Sequence, residues 1–335
     1  MPRGLIRCYS PGRCTKMRGS GTVIAALAVA ALCAPGTWLR STVDATVPTD
    51  ITVSQIAGAA AQPAPQWAVA GVWQYRATGL RFGGFSAMLA VGPGRLRTFT
   101  DRGFRMTFTE PDLPAPTMGM NRQQVSRGWE NDLTDIESVT HNPESGDYWV
   151  GYEQVHAIQR NTIASAPDGV RDLRDDVDWP SNGGIEAMVR LTDGRFVVVP
   201  ETGREGLIFA GDPVEGDQPS TFRLRPPARG YVATDMTQLP DGRLLVLMRR
   251  LIWPSRAAWP PFSALLAIGN APSASGEFAP AIALRLDTVI PRENYEALAV
   301  RPRADGRIDI WVMSDDNFSV IQRTLLAKLV FDPNA

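Results

Sequence analysis

Short apolar and alternating runs recur along this chain, each bounded by a glycine or proline turn. The clearest is Glu186-Ala-Met-Val-Arg-Leu, then Asp193-Gly194, then Arg195-Phe-Val-Val-Val-Pro-Glu201. An Asp-Gly pair between two apolar runs is a strong β-hairpin signal, because both residues tolerate the positive φ of a tight turn. The phrase occurs five times. Its copies run from Phe85 to Gly103, Ile136 to Glu153, Ile185 to Glu201, Thr234 to Arg250 and Tyr295 to Asn317. With Ser86, Glu137, Glu186, Asp235 and Glu296 as opening positions, the steps are 51, 49, 49 and 61 residues.

A period of that length, with room for four short strands, predicts an all-β fold, a β-propeller of five blades. A sixth stays open if the segment 104–133, with its Pro-rich middle, holds a degenerate blade. The long last step is explained by an insertion from Trp253-Pro254 to Pro260-Pro261. The fifth copy supplies strands near Glu296, at Ile308–Met313 and at Thr324–Phe331, and then lacks a fourth. The run from Trp67 to Thr78 has no hairpin partner of its own. Paired beside the C-terminal strand, it closes the ring and removes an exposed edge.

Hairpin geometry then brings chemistry together. Residues equidistant from a turn face each other across an antiparallel pair. Glu137 and Glu153 flank the turn at Glu144–Gly146, Glu186 and Glu201 flank Asp193-Gly194, Ser86 and Asp101 flank Pro93-Gly94, and Glu296 and Asp315 flank Asp305-Gly306. The acid that opens each first strand therefore shares one end of its blade with the acid that closes the second. If the first strands line the channel, Asp101, Glu137, Glu153, Glu186, Glu201, Asp235, Glu296 and Asp315 crowd one mouth. So much like charge at close range calls for compensation. Arg102, Arg204, Arg249 and Arg250 stand at matching positions, and a hard cation such as Ca²⁺ suits all-oxygen ligands. The alternative is that the acids cap strands and pair with arginines as purely structural elements.

The expected metal set is Glu137, Glu186, Asp235 and Glu296, with Asp101 and Asp315 in support. Glu153 or Glu201 is the expected proton acceptor, and Arg102 and Arg249 the stabilisers of a developing anion. That constellation suits metal-assisted hydrolysis of a small-molecule ester or phosphoester, including lactone opening. The competing expectation is a non-catalytic propeller that binds a cell-envelope ligand or partner. Other chemistries lack residues. The two histidines, His141 and His156, exclude a His-rich zinc site. Gly84-Phe-Ser86-Ala-Met88 breaks the serine-hydrolase elbow at its last position, so Ser86 reads as a small channel-lining residue. Trp149, Phe196, Trp311 and Phe318 are expected to pack between blades, whereas Trp253 and Trp259 in the insertion are candidates to rim the mouth.

Composition changes the picture mainly at the N-terminus. Among 335 residues, 34 Lys and Arg balance 35 Asp and Glu, and no basic stripe invites nucleic acid. Arg3, Arg7, Arg13, Lys16 and Arg18 precede the apolar run 22–34, long enough for a signal h-region and short for a membrane span. Cys8, Cys14 and Cys33 all lie in this segment, so the rest of the chain has no thiol chemistry and suits an oxidising compartment. The expected organisation is a signal peptide or N-terminal anchor at 1–40, a flexible linker at 41–66 and a propeller at 67–335. The expected product is a monomer, periplasmic or secreted, with a membrane tether if the N-terminal segment is retained.

A set of phrases resembles the phytase-like family described by its esterase-like activity of phytase. They are Gly83-Gly-Phe-Ser86-Ala, Thr100-Asp-Arg-Gly103, Asp135-Ile-Glu-Ser-Val139, Trp149-Val-Gly-Tyr-Glu153, Asn182-Gly-Gly-Ile-Glu-Ala187, Leu239–Leu247, Asn294-Tyr-Glu-Ala-Leu298 and Ser314-Asp-Asp-Asn-Phe318. Each is weak alone, but the ordered set spans about 80–331. The resemblance implies a propeller, export and hydrolysis of ester or phosphoester bonds, without fixing phytate as the substrate.

Overall fold

The computed structural model describes residues 50–58, 60–77, 81–114, 117–253 and 259–335. The expected signal or anchor at 1–40 and the start of the expected linker lie outside the described residues. Five small sheets form a five-bladed propeller, with no α-helix among the described residues. Blade one is Phe85–Ala90, Arg95–Thr100, Phe104–Thr109 and Met118–Arg122. Blade two is Ile136–His141, Tyr148–Tyr152, Ala157–Asn161 and Pro167–Asp172. Blade three is Ile185–Arg190, Phe196–Pro200, Glu205–Phe209 and Ser220–Leu224, with Glu277–Phe278 added in parallel at its edge. Blade four is Val232–Gln238, Leu244–Leu251, Phe262–Gly269 and Ala281–Arg285.

Blade five joins the ends of the chain. Asn294–Pro302, Ile308–Asp315 and Thr324–Phe331 pair in order, and Trp67–Arg76 pairs antiparallel with Thr324–Phe331 as the expected closing strand. Two expectations need correction. No sixth blade hides in 104–133, because Phe104–Thr109 and Met118–Arg122 are the outer strands of blade one. The stretch expected as linker also carries strands: Thr52–Ala57 and Ala60–Ala64 both pair with Trp67–Arg76. An unpaired outer edge on Trp67–Arg76 would be a site for aggregation, and Thr52-Val-Ser-Gln-Ile supplies the β-branched residues that cover it.

The core lies between blades. Five apolar clusters fill the five gaps: Phe85, Met106 and Trp311 pack between blades five and one, Val189 and Val246 between three and four, and Leu247 and Leu298 between four and five. Trp149 and Phe196 meet edge to face at 4.9 Å between blades two and three, as expected. Each such side chain contributes about 1.5–3 kcal/mol on burial. The result is a rigid ring whose inner strands start at one common end.

Candidate active site

Every inner strand begins with a β-bulge at the same place. The register shifts between Phe85 and Ala87, Ile136 and Ser138, Ile185 and Ala187, Ala233 and Asp235, and Tyr295 and Ala297. The bulged residues are Ser86, Glu137, Glu186, Thr234 and Glu296. A bulge takes its residue out of the ladder and re-aims its side chain. The two hydroxyls turn to the next blade: Ser86 Oγ donates to the Ile136 carbonyl at 2.5 Å, and Thr234 Oγ1 lies 3.4 Å from the Tyr295 carbonyl. Ser86 is thus a clasp between blades.

The bulge also shifts the pairing expected from counting outward from each turn. Asp101 N–H bonds to the Gly84 carbonyl, Glu153 N–H to Asp135 and Glu201 N–H to Gly184, while Asp315 faces Asn294 and Arg249 faces Val232. These five positions are equivalent. They form a second ring of Asp101, Glu153, Glu201, Arg249 and Asp315, so an arginine stands in blade four where the other blades carry an acid. Its Nη2 lies 3.1 Å from Glu296 Oε1, 3.5 Å from Glu201 Oε1 and 3.9 Å from Glu186 Oε1.

Asp235 does not join the carboxylates at the mouth. It lies one residue beyond the bulge, is 1% exposed, and accepts the Met236 N–H and the Leu298 N–H, each at 2.7 Å. Burial raises its pKa well above the usual carboxylate range, and backbone bonds from Leu298, Met236 and Met88 oppose that shift. It ties together the inner strands of blades four, five and one, with both oxygens engaged by backbone N–H groups. The expectation of Asp235 as a ligand is therefore corrected: the blade-four opening position is Thr234.

The remaining acids do converge. Asp135, Glu137 and Glu153 place carboxylate oxygens within 4.8 Å of one another. Desolvation in the channel raises Glu137 well above its ordinary value, and Asp135, Glu186, Glu296 and Glu153 add to this. Glu153 is pushed up to about 8 by burial, Asp135 and Glu201, against one bond from the Gly184 N–H. Burial likewise raises Glu186 and Glu296, with Arg249 the main opposing charge in each case. Asp315 is raised by burial, Glu296, Asp101 and Asp316, and Asp101 by burial and Asp135. These are groups that lose energy by being ionised together, and a cation or a ligand donor would relieve them.

Asp135 stands in one of the family-like phrases, but its sequence position predicts no role for it. The signal was an acid at each of 135 and 137 opposite Glu153, legible only once the bulge is known. Asn294 was missed in the same way: its Nδ2 donates to Glu296 Oε1 at 2.7 Å, and its Oδ1 is buried without a hydrogen-bond partner. Asp316 accepts from Gly84 N–H, Phe318 N–H and the Thr324 hydroxyl, which fixes the Ser314–Phe318 turn against blade one.

The arginines divide. Arg249 lies among the acids. The Arg102 guanidinium lies 3.4 Å from the centre of the Phe318 ring, so Phe318 packs from the blade-five loop onto Gly84 and Arg102 of blade one, at the mouth. Arg250 stacks on Tyr231 at 4.8 Å, and Arg204 is exposed. His141 lies at the far end of its strand, pushed down to about 4 by burial and by Arg190 and Arg97. His156 is buried beside Glu153, with Nε2 3.1 Å from the Trp179 carbonyl.

A separate cleft of about 400 Å³ opens between blades two and three, lined in part by Asn142, Asp147, Arg160, Arg190 and Asp212. It lies at the hairpin-turn end, away from the acids. Arg160 there is already committed to Asp212 at 2.7 Å and Glu215 at 2.6 Å.

Among solved structures, the hydrazine synthase of Kuenenia stuttgartiensis is 11% identical with a TM-score of 0.39, over 76% of this chain and 64% of that one. The chain thus spans less than two thirds of that protein. A luciferin-regenerating enzyme is 12% identical with a TM-score of 0.43, over 83% and 95% of the two chains. Hsv2 of Kluyvelomyces marxianus is 10% identical with a TM-score of 0.32, over 66% and 68%. At these levels none bears on activity. No match was found among curated proteins. The family model described as esterase-like activity of phytase matches residues 80–318, which contain both rings and all of the carboxylates above. The chain belongs to this phytase-like family of hydrolase-type propellers.

Proposed function

We propose that the protein is an exported hydrolase that cleaves an ester or phosphoester of a small molecule at the acidic mouth. The observation that carries this reading is the division of the mouth into two parts. One is the carboxylate triad Asp135, Glu137 and Glu153, with oxygens within 4.8 Å of one another, and the other is Arg249 set among Glu186, Glu201 and Glu296.

The triad fits a hard divalent cation such as Ca²⁺, since its donors are all carboxylate oxygens and their mutual repulsion is relieved by positive charge. When bound there, such a cation would polarise the substrate oxygen and lower the pKa of water. Arg249 presents N–H donors where negative charge develops on the substrate oxygen. Glu186 and Glu296 hold the Arg249 guanidinium in place, and Asn294 orients Glu296. Glu201, whose side chain is 28% exposed, is the carboxylate placed to take a proton from an attacking water. Arg102, braced by Phe318, offers a second cationic group to the leaving side. Relative to the sequence reading, Glu153 moves from proton acceptor to cation ligand and Asp235 leaves the site.

The N-terminal composition supports export to the periplasm or beyond, with a tether if the segment is retained, and the protein acts as a monomer. The Arg249 ion pairs also support a second reading, a binding propeller whose acids are neutralised internally.

Metal analysis of the purified protein, paired with chelator-sensitive assays on p-nitrophenyl esters and phosphates, separates the two. Stoichiometric calcium, chelator-sensitive turnover and loss of turnover in folded Glu186→Gln are expected for the hydrolase. A metal-free, inactive protein would make it a binding scaffold.

A further inference from the structure

The mouth is framed by the loops that join second strands to third strands. In blades one, two and three these are short, spanning 101–103, 153–156 and 201–204. In the neighbouring blades four and five the connections are longer in sequence, 252–261 and 316–323, and of the first only 252–253 and 259–261 are described residues. These two long loops and the strand end beside them carry Leu251 (68% exposed), Trp253 (74%), Trp259 (44%) and Val320 (101%), half of the large apolar side chains exposed among the described residues.

Their placement follows from the ladder. Beyond Arg249 the hairpin continues through Leu251 paired with Phe262 and an Ile252 N–H bond to the Pro261 carbonyl. At about 3.3 Å per residue, Trp253 stands roughly 13 Å outward from Arg249 along the strand. Val320 projects from the loop that follows Asp315 and carries Phe318. The mouth-end connections of two adjacent blades thus carry these exposed apolar and aromatic side chains as an apolar lip, while blades one to three present Asp101, Asp135, Glu153 and Glu201 there. Exposed apolar residues on one side of a rim mark a binding surface.

Charge then narrows the occupant. Within the two rings, Asp101, Glu137, Glu153, Glu186, Glu201, Glu296 and Asp315 accompany a single arginine, Arg249. A polyphosphate would be held against this excess of carboxylates only through bound cations, and it would leave the apolar lip unused. An anionic lipid surface meets the same repulsion.

We infer that the substrate is an uncharged carboxylic ester whose apolar acyl body lies on Leu251, Trp253, Trp259 and Val320, and not an inositol polyphosphate. This rests on the hydrolase reading of the mouth. Hydrolysis adds water to the acyl carbon and breaks its bond to the alcohol oxygen. That oxygen takes a proton, and the acid and alcohol leave with no other reactant required.

The test compares p-nitrophenyl acetate, p-nitrophenyl hexanoate and inositol hexakisphosphate on the full protein and on Trp253→Ala and Trp259→Ala. Both residues are exposed, so the fold is expected to survive. The hexanoate should exceed the acetate in kcat/KM, and each variant should reduce that preference by about tenfold, mainly through the KM of the hexanoate. A preference that the variants do not alter, or faster release of phosphate from inositol hexakisphosphate, would overturn the inference while leaving the hydrolase in place.

If neither ester nor phosphoester is cleaved, the hydrolase reading fails separately, and tryptophan fluorescence with N-(4-nitrophenyl)hexanamide still decides the lip. Saturable quenching lost in both variants supports it, and quenching unaffected by them overturns it. Variant-sensitive binding to phosphatidylcholine vesicles, without any hexanoate preference, would also overturn it in favour of a membrane surface.

Discussion

Asp235 Oδ2 accepts the backbone N–H of Leu298 at 2.7 Å, so one buried carboxylate joins the inner strands of blades four and five. Its other oxygen holds Met236 N–H at 2.7 Å. Asp235→Ala should destabilise the protein by roughly 1–3 kcal/mol for each orphaned donor. Urea denaturation measures this. Calcium affinity of the folded variant should stay unchanged; a lost affinity would return Asp235 to the ligand set.

Asp135→Asn should weaken cation binding as strongly as Glu137→Gln, by at least about tenfold, since each removes one of three crowded carboxylate donors. Calorimetric titration with Ca²⁺ checks this, and tight binding by either variant would count against the triad.

The pH dependence of stability should differ with and without calcium. Glu153 has an ordinary value of 4.5 and is pushed up to about 8 in the folded protein. Over that interval the folded state holds more protons than the unfolded one, so stability falls as pH rises from about 4.5 through 8. Glu137 and Glu186 shift in the same direction. Thermal unfolding without calcium should therefore show a falling midpoint across this window. Added Ca²⁺ should restore it near pH 8 and have little effect near pH 5. A midpoint that rises with pH in the chelated protein would contradict the raised carboxyls.

Arg249→Lys keeps a positive charge among Glu186, Glu201 and Glu296 but loses the planar fork of donors. The expected outcome is a fall in kcat of about 10²–10³ with the fold preserved. Steady-state kinetics alongside circular dichroism reads both, and near-normal kcat would leave Arg249 a purely structural counter-charge.

Ring closure has its own buried charge. Lys328 on the C-terminal strand bonds Asp112 of blade one at 2.7 Å and lies 3.1 Å from Asp309. Lys328→Met should cost about 1–3 kcal/mol, because it removes a buried cation from Asp309, which keeps Arg303 at 3.3 Å, and from the exposed Asp112. A denaturation midpoint close to that of the parent would show that water reaches these acids.

The period of about fifty residues, the Asp-Gly turns and the unpaired run at Trp67 were sufficient to establish an all-β ring closed by its two ends. They also identified the end at which the acids gather, because strand alternation and turn chemistry are local properties. The bulges were not legible, since they depend on which residue of one strand bonds to which residue of the next. That offset moved the blade-four position from Asp235 to Thr234, sent Asp235 into the backbone of the channel, and placed Arg249 where four other blades carry an acid. It also brought Asp135 beside Glu137 and Glu153. The strand at Thr52–Ala57 escaped notice for a related reason: it folds against an edge that exists only once Trp67–Arg76 has docked. Sequence period thus determined the architecture. Inter-strand register and burial, which arise only when the blades pack, decided which carboxylates meet a cation, which meet Arg249 and which hold the ring together.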